Sequence, residues 1–233
     1  MNILITGATK GIGKAIANSL DGNIYAVARN ENLLKEQYQN YFVADLATTT
    51  GMIELGKFIE SSKIDILINN AGEYIYAPVL EGFDTEQIEH ITRLNLETPL
   101  YLISKAVSHM KSSGFGRIIN IGSISGVMGE ANASLYSATK AGLIGATKAL
   151  ALELAEYGIT VNTINPGWVD TDLGNSSCDD SNFTKEEIIE CIPQRRFVEP
   201  TEIAGMVKYL ISKEAKGVTG QSINLCAGLS VGY

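Results

Sequence analysis

The chain has little of what metal sites, disulfide frameworks or nucleic-acid surfaces are built from. Two histidines, His90 and His109, and three cysteines, Cys178, Cys191 and Cys226, occur in 233 residues. The histidines stand alone in helical patterns and no Cys-x-x-Cys pair is present. No zinc site and no disulfide framework is therefore expected, and a reducing compartment is. Basic residues are the minority charge. Eighteen Lys and Arg against 26 Asp and Glu leave −8, which speaks against a duplex nucleic-acid partner. No apolar run is long enough to span a bilayer. The start, Met1-Asn2-Ile3-Leu4-Ile5, has neither the basic lead nor the small-residue cleavage site of a targeting leader. The expectation is a cytoplasmic protein with no nucleic-acid and no membrane partner.

What is present is a regular alternation. Short apolar runs at Asn2–Thr6, Asn23–Ala28, Tyr41–Ala44, Asp65–Asn69, Arg117–Ile121, Thr160–Asn165 and Ser222–Leu225 read as strands. Between them lie helical patterns at about Gly13–Leu20, Asn32–Gln37, Met52–Ser62, Thr85–Lys111, Ser134–Tyr157 and Thr201–Ile211. Continuous apolar strands alternating with helices predict an α/β fold with a parallel sheet covered on both faces. No Pro/Gly/Ser linker or repeat divides the chain, and 45% of it is hydrophobic, so one domain over residues 1–233 is expected. The polar, weakly periodic stretch at about 173–195, with Gly174-Asn175-Ser176-Ser177-Cys178, is expected to be a substrate loop or lid.

The first strand leads into Thr6-Gly7-Ala8-Thr9-Lys10-Gly11-Ile12-Gly13, which opens a helix. Glycines let a backbone approach a pyrophosphate, and the helix start supplies N–H donors and a positive dipole. The spacing is Gly-x-x-x-Gly-x-Gly, not Gly-x-Gly-x-x-Gly, and Gly13-Lys14-Ala15 lacks the hydroxyl of a nucleotide-triphosphate loop. The second strand ends Val27-Ala28-Arg29-Asn30 without the acid that binds both ribose hydroxyls of NAD. Arg29 with Lys10 instead reads as a clamp for a 2′-phosphate, favouring NADP(H) over NAD(H). Asp45-Leu46 is placed to meet the adenine, and Asn69-Asn70-Ala71-Gly72 to pass under its ribose. The Asn70 amide serves equally well as a tie between strands.

Three pairs read Tyr-x-x-x-Lys: Tyr101/Lys105, Tyr136/Lys140 and Tyr209/Lys213. The four-residue offset puts both side chains on one helix face. An ammonium there favours tyrosinate, so a phenol ordinarily titrating near ~10 can exchange a proton at working pH. Only Tyr136 has Ser123 just upstream and Asn165-Pro166-Gly167 downstream. The other two sit in Tyr-Leu-Ile-Ser-Lys, a core-facing Leu-Ile pair beside a solvated lysine.

In order, the Thr6–Gly13 loop, Asp45, Asn69-Asn70-Ala71-Gly72, Asn95, Ser123, Tyr136/Lys140, Asn165-Pro166-Gly167 and Thr171 resemble the short-chain dehydrogenases/reductases over nearly the whole chain. The resemblance implies a doubly wound Rossmann fold with a parallel sheet of about seven strands and nicotinamide-dependent carbonyl/alcohol chemistry. It also implies a homotetramer with the helices at Thr85–Lys111 and Ser134–Tyr157 in an interface. Tyr136 would give a proton to the carbonyl oxygen, and Ser123 would polarise it. Lys140 would lower the tyrosine pKa and hold the nicotinamide ribose, and Asn95 would hold a relay water or stabilise a helix kink. Pro166, Gly167 and Val169 would shape the nicotinamide pocket, with Trp168 packing there and Thr171 near the phosphates.

Within the family, Gly116–Ser123, Tyr136–Asp172, Arg196–Ala204 and Val218–Gln221 are most similar to bacterial 3-oxoacyl-(acyl-carrier-protein) reductases. This implies a 3-oxoacyl thioester substrate. Such reductases meet an acidic carrier protein with basic residues. Here the corresponding Ser112–Phe115 and Glu153–Tyr157 are neutral and acidic, which leaves Arg195 and Arg196. A sugar, polyol, cyclic ketone or secondary-metabolite carbonyl stays open as substrate. A non-catalytic NADP-binding regulator is the alternative from another class.

Overall fold

The computed structural model describes residues 1–174 and 184–231. Strands β1 (Asn2–Thr6), β2 (Asn23–Ala28), β3 (Asn40–Val43), β4 (Ile66–Asn69), β5 (Gly116–Ile121), β6 (Ile159–Pro166) and β7 (Ser222–Leu225) form one sheet of order β3-β2-β1-β4-β5-β6-β7. Every pairing is parallel. The helices are α1 (Gly11–Ser19), α2 (Glu31–Gln37), α3 (Thr49–Ser62), α4 (Thr85–Thr92), α5 (Thr98–Ser113), α6 (Ser125–Met128), α7 (Ser134–Leu154), α8 (Lys185–Cys191) and α9 (Pro200–Leu210). The α/β reading with about seven parallel strands holds.

Successive strand residues face opposite ways, and the core divides accordingly. Ile3 and Ile5 pack with Ile16 of α1 and Ile203 and Val207 of α9. Leu4, between them, packs on the other side with Leu55, Leu102, Ile103 and Met110 from α3 and α5. Strands covered on both faces need no polar alternation, which is why β1, β4 and β5 read as unbroken apolar runs. The exceptions are informative. Asn69 donates to Asn120 at 2.9 Å, Asn120 to Thr147 at 3.0 Å, and Thr147 lies 2.7 Å from Thr163. This buried chain ties β4, β5 and β6 to α7 and so fixes the helix that carries Tyr136 and Lys140.

Two elements depart from expectation. The pattern at Thr85–Lys111 predicts one helix, but α4 and α5 are separated by a π-helical turn, Arg93–Glu97. The segment 173–195 is expected to be irregular, yet Thr184 and Glu187 form a reciprocal capping box that starts α8. Residues 175–183 of that expected loop, and Cys178 with them, lie outside the described residues. Among the described residues, no helix is long and apolar enough to cross a membrane.

Candidate active site

Strand order reverses between β1 and β4, and ligands of such sheets bind outside the carboxyl ends of the strands at that point. A cavity of about 820 Å³ opens there, lined by Gly7, Arg29, Asp45, Asn70, Ser123, Tyr136, Lys140 and Thr171 among others. That volume is within the range of sites enclosing a small molecule.

At the glycine loop the backbone is shaped for close approach. Gly7 has φ +68, a left-handed conformation that suits glycine. A Cβ on Gly13 would overlap the Gly7 carbonyl oxygen and the Asn70 amide. The N-cap of α1 is Lys10, which gives no side-chain hydrogen bond, and its first turn holds no acid. The leading N–H groups, with Gly11 and Ile12 on the cavity wall, are thus unspent donors for an anion. Thr171 backs this turn, its Cγ2 lying 3.3 Å from where a Gly11 Cβ would be. Thr9, Lys10, Arg29 and Asn30 line the same end. Asn30 also caps α2, accepting from the Leu33 N–H at 3.1 Å. Glu31, the nearest acid, is engaged by Lys35 at 2.8 Å. Neither Lys10 nor Arg29 makes an ion pair among the described residues. Asp45 and buried Leu46 line the wall beyond β3.

Asn70 acts as a structural tie. Its amide donates to the Thr6 and Gly7 carbonyls at 2.9 and 3.1 Å, while its own N–H and that of Ala71 donate to Thr6 Oγ1. Gly72 leaves room where a Cβ would press on Asn95 Oδ1 at 3.2 Å and Lys140 Nζ at 3.3 Å. Asn95 sits in the π turn and is buried. Its Oδ1 accepts from the Glu73 N–H at 3.0 Å, and its Nδ2 donates to the Glu73 carbonyl at 2.9 Å. The side chain therefore joins the π turn to the segment that follows β4, at Glu73. At the far wall Gly167 packs against Cys226, Val169 is buried, and Trp168 stacks on Phe197 at 5.8 Å. Pro166, Gly167 and Val169 line the cavity.

Ser123, Tyr136 and Lys140 converge at the end of β5. Ser123 is nearly buried; its hydroxyl donates to Ser125 Oγ at 3.1 Å and accepts from the Ser125 N–H at 3.1 Å. The Lys140 ammonium donates to the Ile121 carbonyl at 2.9 Å and lies 5.6 Å from the Tyr136 ring centre. Burial pulls the Lys140 pKa down to about 8. The Tyr136 phenol goes the other way: burial pushes it up to about 12, the Glu130 carboxylate adds to this, and the Ser123 hydrogen bond offsets part. The expected depression of the tyrosine by Lys140 is not met in this geometry. Desolvation disfavours tyrosinate more than the ammonium, aimed at Ile121, favours it.

The other two Tyr-x-x-x-Lys pairs are elsewhere. Tyr101 packs on Gly56 of α3, Lys105 pairs with Glu60 at 2.9 Å, and Leu102 and Ile103 are buried. Tyr209 is half exposed, with Leu210 and Ile211 buried.

Three residues reach the site that no sequence pattern indicates. Glu130 accepts from Tyr74 at 2.9 Å and from Ser125 at 2.5 Å, and Ser125 accepts from Ser123 at 3.1 Å. A lone acid in Met128-Gly129-Glu130-Ala131 carries no spacing signal. The nearest hint was its place between Ser123 and Tyr136.

Comparison with known proteins agrees with this architecture. Residues 1–182 match the family model described as short chain dehydrogenase. A 3-oxoacyl-(acyl-carrier-protein) reductase of Staphylococcus epidermidis is 36% identical over 97% of each chain. The crystal structure of an actinorhodin polyketide ketoreductase with NADPH superposes with a TM-score of 0.90 at 33% identity, covering 99% of this chain and 97% of that one. YwfH, an NADPH-dependent reductase involved in bacilysin biosynthesis, gives 0.89 at 28%, covering 100% and 99%. The glycine cradle, the open helix start and the cavity fit a nicotinamide dinucleotide, and this chain belongs to the short-chain dehydrogenase family of NAD(P)-dependent oxidoreductases.

Proposed function

We propose that the protein reduces a ketone to a secondary alcohol with NADPH, with Tyr136, Ser123, Lys140 and Asn95 as its catalytic group. The observation that carries this reading is the convergence of Ser123, Tyr136 and the buried Lys140 on one wall of the cavity that begins at the glycine loop. When bound, the cofactor supplies the hydride. Ser123, turning its one proton from Ser125 to the substrate, donates to the carbonyl oxygen and steadies the charge that develops there. Tyr136, held protonated by burial, gives its proton to that oxygen. Lys140 keeps a cation or a neutral amine within reach of the same centre, and Asn95 holds the π turn against Gly72. Gly7, Thr9, Gly11, Ile12, Gly13, Thr171, Asn70, Ala71 and Gly72 would hold the phosphates and adenosine ribose, with Asp45 and Leu46 at the adenine. Pro166, Gly167 and Val169 would border the nicotinamide. Lys10 and Arg29, neither in an ion pair among the described residues, support NADP(H) over NAD(H).

The relatives support a 3-oxoacyl thioester as substrate. Against an acidic carrier protein stands Arg196, which is bound to Glu202 at 2.6 Å and is therefore not a ready docking charge. A second reading, a hydroxylated or otherwise polar ketone, is favoured by the Glu130 carboxylate beside Ser125. The proposal extends to one domain over residues 1–233 acting in the cytoplasm as a homotetramer, with Leu173, Gly174 and Ile188, which line the cavity, bordering the substrate. Oxidation of NADPH and NADH is to be followed with a short 3-oxoacyl thioester, a sugar and a cyclic ketone. Tyr136→Phe is expected to lose on the order of 100- to 10,000-fold in kcat/KM. Turnover that survives in Tyr136→Phe would remove the tyrosine from the reaction. Binding of NADPH without turnover of any carbonyl would point to the regulator.

A further inference from the structure

The corner of the cavity beyond Ser123 is built to accept hydrogen bonds. Glu130 Oε1 takes the proton of the Tyr74 hydroxyl at 2.9 Å, and Oε2 takes that of Ser125 at 2.5 Å. Ser125 Oγ accepts from Ser123 at 3.1 Å. A hydroxyl has one proton, and those of Tyr74 and Ser125 are both spent on the carboxylate. What Glu130 and Ser125 still present are lone pairs. A ligand atom placed against the Glu130 carboxylate is satisfied only if it brings its own proton, and an acceptor placed against it gains no hydrogen bond from it.

Charge points the same way. Of the other acids on the cavity wall, Glu73 pairs with His90 at 3.1 Å and Glu187 caps α8 through Thr184, while Asp172 follows Thr171, the residue that backs the glycine loop. The base here, Lys140, faces the Ile121 carbonyl. The exposed cations Lys10 and Arg29 line the far end. The Glu130 charge reaches the reacting group, since it contributes to the upward push on the Tyr136 phenol. Tyr74, its partner, packs edge-on against the Tyr136 ring at 5.2 Å.

We propose that Glu130, held by Tyr74 and Ser125, is the specificity-determining residue of the site. It selects ketones bearing a hydroxyl, amide N–H or ammonium two or three carbons from the carbonyl, and turns away ketones bearing a carboxylate there. This rests on the carbonyl-reduction reading above. The reach follows from the chain of contacts. A substrate oxygen between Ser123 and Tyr136 is separated from Glu130 by the Ser123–Ser125–Glu130 link alone, a span that a short substituted ketone covers.

The test compares wild type with Glu130→Gln on three short methyl ketones: 4-hydroxybutan-2-one, pentan-2-one and 4-oxopentanoate. Two readouts are taken, kcat/KM with NADPH and calorimetric binding of each ketone to the NADP⁺-loaded protein. Wild type is expected to favour the hydroxyketone over pentan-2-one by about tenfold and over the carboxylate by roughly 100-fold. Glu130→Gln, which removes the charge and adds N–H donors, is expected to narrow the second ratio by about tenfold or more. A variant that weakens all three ketones equally would show Glu130 merely bracing Ser125 and Tyr74, and would overturn the proposal. So would a wild type that treats 4-oxopentanoate and the hydroxyketone alike, whether or not the variant folds. If no ketone is turned over but the binding order holds, the donor preference stands and the reduction reading falls.

Discussion

At the scale of single residues, the site is governed by what burial does to two titratable groups. Lys140 is 4% exposed, and its pKa falls from 10.5 to about 8. Between those values the unfolded chain keeps a proton that the folded protein has released. Stability therefore rises with pH across that window, and the penalty is at its full size below it. Lys140→Met has no such penalty. The difference in Tm, variant minus wild type, is expected to decrease as pH rises from about 8 to 10.5, as thermal melts at a series of pH values will show. A difference that does not change with pH would mean that the ammonium is not desolvated. Tyr136 has the opposite sign: the folded state holds its proton longer, so its contribution is lost as pH climbs from 10.0 through about 12. The residues proposed to react are legible because their chemistry demands spacing: a tyrosine and lysine one turn apart, with Ser123 shortly before them. Glu130 was not legible. One acid among 26, in a loop without periodicity, acquires its meaning only when the chain brings it over Ser125.

At the scale of elements, the glycine loop is the tightest joint. Gly13→Ala would drive a methyl into the Gly7 carbonyl and the Asn70 amide that ties β1 to β4. Overpacking of that kind costs about 1–3 kcal/mol. A drop of several degrees in Tm by thermal melt and loss of NADPH binding by calorimetry are expected; unchanged binding would show that the loop can give. Strands were readable to within a residue or so because a sheet buried on both faces leaves no polar alternation to confuse the pattern. The π turn at Arg93–Glu97 was hidden, since Leu94 and Leu96 keep an apolar rhythm through it. The capping box Thr184-x-x-Glu187 was present in the sequence as a start signal, but the polar residues before it drew the reading toward a loop.

At the scale of the whole molecule, −8 of net charge is laid out unevenly, with the cations Lys10 and Arg29 exposed at the nucleotide end. Arg29→Asp restores an acid at the end of β2 and is expected to shift the NADPH/NADH ratio of kcat/KM by tenfold or more toward NADH. An unchanged ratio would place the selection elsewhere. Leu152 of α7 is 86% exposed, a large apolar group on the helix proposed for an interface. Leu152→Glu is expected to lower the mass measured by light scattering from four chains toward fewer; a wild type that is itself monomeric would end the tetramer proposal. The parallel sheet covered on both faces could be anticipated from the strand–helix alternation, whereas assembly is not legible, because helix faces are apolar for core reasons too.

The π turn has a further consequence, for how this chain tolerates change. A π turn amounts to one residue inserted in an α-helix. Removing any one residue from Arg93–Glu97 would let α4 and α5 run on as one regular helix, at 3.6 residues per turn. Everything before the deletion would then turn by about 100° relative to everything after it. Asn95 would swing away from Glu73, and α4 would offer a different face to α7. The number of residues in this turn is thus as constrained as the identity of Asn95, and a one-residue deletion inside it would make a different site.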